Sequence, residues 1–269
     1  MAVTLREIMD ILDAAAPCGL AEAYDNPGLA VGGASSEIKG VLIAMDVTRE
    51  VIGEAISLGA NLIITHHPLL FARPYSITSE TTLGDNILTL VKHGISAYSA
   101  HTNLDKARGG MNDVIMEILG LTPYTNLGGA DSQGIGRICD VQATTLRELI
   151  ERTAAKLEAK TVRYAGDLDR QITKVAVING SGGDFIKLSR ENGADAVITG
   201  DTKYHDVLDA LEWGTCVIDP GHFNTEWIVF IEVMRRVEAN VEAKCGSIPW
   251  WIAKTSRDAF QVYTNERIV

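Results

Sequence analysis

Two stretches of this chain, "LGANLIITHH" (58–67) and "NGADAVITGD" (192–201), follow one template: Gly-Ala, a polar residue, four strand residues ending in Ile-Thr, then a pair of residues suited to chemistry. A second match follows in the same order. "GISAYSAHTNLD" (94–105) aligns with "GTCVIDPGHFNTE" (214–226) with one extra residue, and both end in His-x-Asn-x-acid. Paired matches in one order point to an internal duplication. They confine the chain to folds that can be built as two similar halves.

The elements around these matches alternate. "VLIAMD" (41–46), "NLIIT" and "ISAYSA" are short apolar runs of the kind buried strands have. Between them, "TREVIGEAISLGA" (48–60) places Val51, Ile52, Ala55, Ile56 and Ala60 at helical spacing, with Thr48 as N-cap and Gly59 at the end. "GDNILTLVKHG" reads as a further helix, and His93 at its end suits the helix dipole rather than a function. The second half repeats the pattern: strand "KVAVING" (174–180), helix "DFIKLSRENGA", strand "DAVIT", helix "KYHDVLDALEWG", strand "CVIDPG". Helices between buried strands make βαβ units. The expected fold is α/β, with each half a mixed sheet flanked by helices. "TPYTNLGGADSQGIGR" (122–137), rich in Gly, Asn, Ser and Thr, is the expected boundary. The first half then covers 1–128 with His66, His67 and Asp105, and the second 129–269 with His222 and Glu226.

Composition excludes several classes. A chain of 269 residues with 46% hydrophobic and 22% charged residues can bury a core without disulfides. Cys18, Cys139, Cys216 and Cys245 lie far apart without a C-x-x-C, as reduced thiols of a cytoplasmic protein would. The first residues do not read as a signal peptide, and no apolar run approaches the roughly 18 residues of a membrane span. A net charge of −11 without a basic stripe argues against direct duplex nucleic-acid binding.

His66, His67, Asp105, His222 and Glu226 provide three imidazoles and two carboxylates. They follow apolar strands, where open α/β sheets bind their ligands. Imidazole suits zinc, iron, nickel or manganese, and carboxylates can bridge two such ions. Neighbouring side chains on a strand point to opposite sides. His66 and His67 are therefore expected to offer one nitrogen to each of two ions; the alternative is one ligand and one hydrogen-bond donor. His101, matched to His222, is a sixth ligand or a base beside the ions. His205, at a strand end, is a candidate acid/base or a surface histidine. Asp201 is expected to cap the following helix. The turn "NGSGGD" (179–184), with Gly180, Ser181, Gly182 and Gly183, either cradles a phosphate on backbone N–H groups or is a plain tight turn. "PWW" (249–251) suits core or a subunit interface.

These pieces carry a resemblance. "YDNPGLAVGG" (24–33), "IITHHPLLF" (63–71), "SAHTNLDKARGGMND" (99–113), "GADAVITGDTKYHD" (193–206) and "DPGHFNTE" (219–226) resemble, in order, the NIF-three-like dinuclear metal centre family of type 2 GTP cyclohydrolase I homologues. Ala23 and Tyr24 depart from the acidic residue and Trp that often precede Asp-Asn there, a difference of local packing. The resemblance implies two divalent ions per chain (zinc, iron, manganese or nickel) held by His66, His67, Asp105, His222 and Glu226. It also implies a nucleotide or related heterocycle as substrate and, for a short member, a ring-shaped homohexamer. The expected function is a dinuclear metal-dependent hydrolase. The alternative is a non-catalytic metal-binding or interaction protein.

Overall fold

The computed structural model describes residues 2–129 and 134–263, so residues 130–133 of the expected boundary lie outside the described residues. In chain order the elements are α1 (Leu5–Ala15), β1 (Gly28–Val31), β2 (Val41–Ala44), α2 (Arg49–Leu58), β3 (Leu62–Thr65), α3 (Thr82–His93), β4 (Ser96–Ser99), α4 (Thr102–Lys106), α5 (Met111–Leu119) and β5 (Thr125–Asn126). There follow β6 (Arg137–Thr145), α6 (Leu146–Lys156), β7 (Arg163–Ala165), β8 (Gln171–Ser181), α7 (Ile186–Glu191), β9 (Ala196–Gly200), α8 (Tyr204–Glu212), β10 (Cys216–Asp219), α9 (His222–Cys245) and β11 (Trp250–Ile252). The helices and strands expected around both repeats are all present.

Two compact units form. The first comprises 2–115, 134–136 and 229–256; the second comprises 116–129, 137–228 and 257–263. The C-terminal part of the sequence thus returns to the first unit, where β11 pairs in parallel with β2. Trp251 packs there against the core cluster and lies so close to Gly40 that a Cβ at Gly40 would stand 2.4 Å from its ring.

The first sheet has the order β1-β4-β3-β2-β11, the second β5-β6-β8-β9-β10-β7. In each, three adjacent strands are parallel (β2, β3, β4 and β8, β9, β10), and an antiparallel strand, β1 or β7, closes on the last of them. "LIIT" and "AVIT" are the middle parallel strands of their sheets. The correspondence extends to α1 and α6. Both open on Thr-Leu-Arg-Glu, and in both the N-cap threonine and the Glu three residues later form a capping box. These likenesses are those an internal duplication would leave.

Strands β2, β3 and β4 are buried along their whole length. That is why they read as unbroken apolar runs rather than alternating ones. Ile63 is fully buried among Leu42, Val51, Ile87 and Ala97, and its truncation to alanine would cost about 2–5 kcal/mol. Thr48 caps α2 by accepting from the Val51 amide, and Gly59 ends it at φ 72°, a left-handed conformation that glycine adopts without strain. Among the described residues no helix is long and apolar enough to cross a membrane, and all four cysteines are free.

Candidate metal centre

Side chains fit for metal binding follow the C-terminal ends of the parallel strands in both units, the usual ligand edge of such sheets. In the first unit Asp46 follows β2, His66 and His67 follow β3, and His101 and Asp105 follow β4. In the second, Asp201 follows β9, and His222 and Glu226 lie in the first two turns of α9 after β10.

The strand alternation expected for His66 and His67 does not reach them, because β3 stops at Thr65. The Thr65 hydroxyl donates to the His67 carbonyl at 2.8 Å and the His67 amide donates to Met45 O at 3.0 Å, bending the chain at once. The two rings lie 5.3 Å apart, and each lies beside His101, at 5.2 Å from His66 and 5.6 Å from His67. Ligand atoms of His66, His67 and His101 all fall within 4.8 Å of one another. His66 is fully buried against Phe230, and its Nε2 is 3.6 Å from the buried Asp105 carboxylate.

Each of these imidazoles is held through Nδ1. His66 Nδ1 lies 2.8 Å from the Ala100 carbonyl, which can only accept, so this nitrogen carries the proton. His67 Nδ1 is 2.9 Å from Asp46, and His101 Nδ1 is 2.8 Å from Asp25. The same Asp25 carboxylate accepts from the Thr102 amide at 3.0 Å and hydroxyl at 2.5 Å. Burial alone would raise the Asp25 pKa. The bonds from His101 and Thr102 outweigh it and hold the carboxyl well below the usual carboxylate range. A ring anchored in this way presents Nε2 to the cluster, as a metal ligand or as a base.

The second unit repeats the device. His222 Nδ1 is 2.8 Å from Asp201, and His222 Nε2 is 2.9 Å from Glu226 Oε2, one helical turn along α9. Asp201 does not cap α8; Lys203 occupies the N-cap position. Asp201 instead sits at φ 51°, a left-handed conformation that costs a non-glycine residue about 1–3 kcal/mol and tends to occur at functional sites. The start of α9 approaches β9 so closely that a Cβ at Gly200 would stand 2.6 Å from the His222 nitrogen. Asp219 is buried and ties the loops around it: it accepts from the Gly221 amide at 2.9 Å and the Thr202 hydroxyl at 2.6 Å, and it pairs with Arg163.

The "NGSGGD" turn uses its amides inward. Gly180 N–H donates to Thr225 Oγ1 at 3.0 Å and Gly182 N–H to Thr199 Oγ1 at 2.9 Å. A Cβ at Gly180 would stand 2.1 Å from Glu226 Oε1. Ser181 ends β8 beside Gly200, and Gly183 packs on the Asp206 carboxylate. His205 is exposed on α8, edge-on to Tyr204 at 5.3 Å, and belongs to no group of potential metal ligands found among the described residues. Sequence reasoning missed Asp46 and the anchoring roles of Asp25 and Asp201. The available signal was position: Asp46 ends "VLIAMD" beside the strand that carries the histidines.

The donor set fits divalent transition metals: anchored imidazoles with a buried carboxylate beside them are the ligands such ions take. The fold and these groups define a class, an α/β protein of two similar units with imidazole–carboxylate clusters past its parallel strand ends. Within it the chain belongs to the Duf34/NIF3 (NGG1p interacting factor 3) family, which it matches over residues 3–258. It is 43% identical over 261 residues to the "GTP cyclohydrolase 1 type 2 homolog" of Clostridium perfringens, covering 96% of this chain and 98% of that protein. A hypothetical protein of Staphylococcus aureus has the same fold at TM-score 0.90 and 29% identity, with 98% of this chain and all of that one covered (100%). The Bacillus cereus protein related to NIF3 follows at TM-score 0.88 and 26% identity, covering 97% and 99%.

Proposed function

We propose that this protein is a dinuclear metal-dependent hydrolase acting on a nucleotide or related heterocycle. The reading takes His66, His67, Asp105, His222 and Glu226 as the ligands of two divalent ions, of zinc, iron, manganese or nickel. The observation that carries it is the anchoring of the three ligand imidazoles through Nδ1, His66 by the Ala100 carbonyl, His67 by Asp46 and His222 by Asp201. Surface histidines have no need of such orientation; metal ligands do. The name of the Clostridium relative supports a heterocyclic substrate such as GTP.

When bound, the ions would supply Lewis acidity and lower the pKa of water. The chain's own residues do the rest. The Asp25 carboxylate keeps a proton on His101 Nδ1, so that Nε2 accepts a proton from the attacking water and returns it to the leaving atom. General acid–base help of this kind is worth about 10²–10⁴-fold. His101 is preferred to His205 because it stands in the histidine cluster. The "NGSGGD" turn, with two amides turned inward, is given the role of packing Glu226 rather than of holding phosphate. The active form is a homo-oligomer, a hexamer by resemblance, and light scattering that returns 29.0 kDa would refute that part.

The test incubates metal-loaded protein with nucleotides and phosphoesters beside metal-free protein and the His66→Ala variant. His66→Ala is expected to lose metal and turnover together, whereas His101→Gln is expected to keep its metal and lose turnover. The family description, which names an interacting factor, favours one second reading, a metal-binding interaction protein. Equal turnover in metal-free and metal-loaded protein would refute the hydrolase and leave that second reading.

A further inference from the structure

Two large aromatic side chains beside the histidine cluster have no role in the site as described. Tyr24 is 65% exposed and Phe71 57% exposed. Their ring centroids lie 6.3 Å apart, and Phe71 stands edge-on to His101 at 6.2 Å and 79°. Single exposed apolar side chains are ordinary. These two differ in being held in place by the groups that build the cluster. Tyr24 precedes Asp25, which grips His101 and Thr102. Phe71 follows Leu70, whose side chain packs on the core with Leu69 and whose carbonyl accepts from Asn26 Nδ2 at 2.9 Å. The two loops are thereby pinned to each other, with a ring facing solvent on each. Phe71 also lies within the connection 66–81, which has no helix or strand; connections of that length are commonly functional.

We propose that Tyr24 and Phe71 form a stacking platform for the planar nitrogen heterocycle of the substrate, holding it by its π-face beside His66, His67 and His101. The inference rests on the hydrolase reading for the identity of the ligand, but it concerns binding rather than turnover. Ordered aromatic rings with little rotamer entropy to lose are efficient at this task, and stacking of a base on one is worth about 5- to 140-fold in affinity. The acidic chain carries no basic stripe to attract a polyanion, so ring contacts would supply a large share of recognition.

Calorimetric titration of metal-loaded protein with GTP, guanosine and ring-free tripolyphosphate tests this. Phe71→Ala and Tyr24→Ala should each weaken GTP and guanosine by about 5- to 140-fold while tripolyphosphate affinity and metal content stay unchanged. Phe71→Trp should retain binding, which a merely structural role for Phe71 would not predict. Equal loss for tripolyphosphate, no loss for either ring-bearing ligand, or wild-type protein that binds neither GTP nor guanosine would overturn the proposal. So would light scattering in which Phe71→Ala dissociates an assembly, because the rings would then belong to a subunit contact. Failure of the hydrolase reading shows separately, as equal turnover with and without metal.

Discussion

Gly180→Ala is the sharpest probe of the second unit. A Cβ built there stands 2.1 Å from Glu226 Oε1 and 3.1 Å from its Cδ, and ordinary contact begins at 3.4 Å, so the carboxylate or the turn must yield by 3.4 − 2.1 = 1.3 Å. Glu226 is buried on α9 with its other oxygen 2.9 Å from His222 Nε2, so it has little room to swing. The turn is bound in its own way, by Gly180 N–H to Thr225 and Gly182 N–H to Thr199. Metal–ligand distances tolerate about ±0.2 Å, several times less than the required shift. Alanine at φ 63° adds about 1–2 kcal/mol of backbone strain. The expected result is a stability loss of about 2–5 kcal/mol, strain plus overpacking, with metal content falling below that of the wild-type protein. The assays are denaturant unfolding and elemental analysis. Gly193→Ala is the control. It has φ 84° in the same unit, but its nearest neighbour is Lys174 Cδ at an ordinary 3.8 Å, so it should show the strain cost with full metal. Undiminished metal in Gly180→Ala, with a stability loss no larger than that of Gly193→Ala, would refute the reasoning.

Two other predictions are independent of the metal. Burial raises the Glu54 carboxyl, but the Thr255 hydroxyl and the Lys254 and Thr255 amides outweigh it and hold the pKa below its ordinary 4.5. A depressed carboxylate contributes stability above its unfolded pKa and loses it as pH falls through the lower folded value; the protection of 250–255 against hydrogen exchange, relative to intrinsic rates at each pH, should therefore fall only below about pH 4.5, and Glu54→Gln should reproduce this loss at neutral pH, while protection that does not change with pH would refute the clamp. Burial, reinforced by Asp140 and only partly offset by Arg152, pushes the Cys139 thiol up to about 11. At pH 8 iodoacetamide should modify exposed Cys18 well before Cys139 and the buried Cys216, as peptide mapping would show; early labelling of Cys139 would refute its burial.

Much of the fold was legible because its central strands are buried along their length and its helices carry sequence signals at their ends. "LIIT" and "AVIT" became the middle strands of two sheets, and Thr48 and Gly59 bracket α2 as their residue types require. The return of 229–256 to the first unit was not legible. Nothing local in "PWWI" says that its strand pairs with β2, some two hundred residues earlier, because the pairing depends on which sheet edge is open rather than on propensity.

The site divides in the same way. Ligand types announce themselves: two adjacent histidines after a buried strand and two His-x-Asn-x-acid segments have few structural uses. Their orientation does not. The alternation rule failed at His66 and His67 because the strand ends at Thr65, before either of them. Asp25 meets His101 across 76 positions, and Asp46 and Asp201 each reach their histidines across 21. Such partners are chosen by strand order, which single-sequence reasoning gives only as a class. One regularity was still available. If β2, β3 and β4 are adjacent and parallel, the residues just past their ends must cluster, so an acid at the end of "VLIAMD" has the histidines of the next strand as neighbours. Asp201 shows where even this runs out: helix capping and imidazole anchoring both suit an aspartate after a strand. Only its left-handed φ of 51° and the 2.8 Å contact to His222 separate the two.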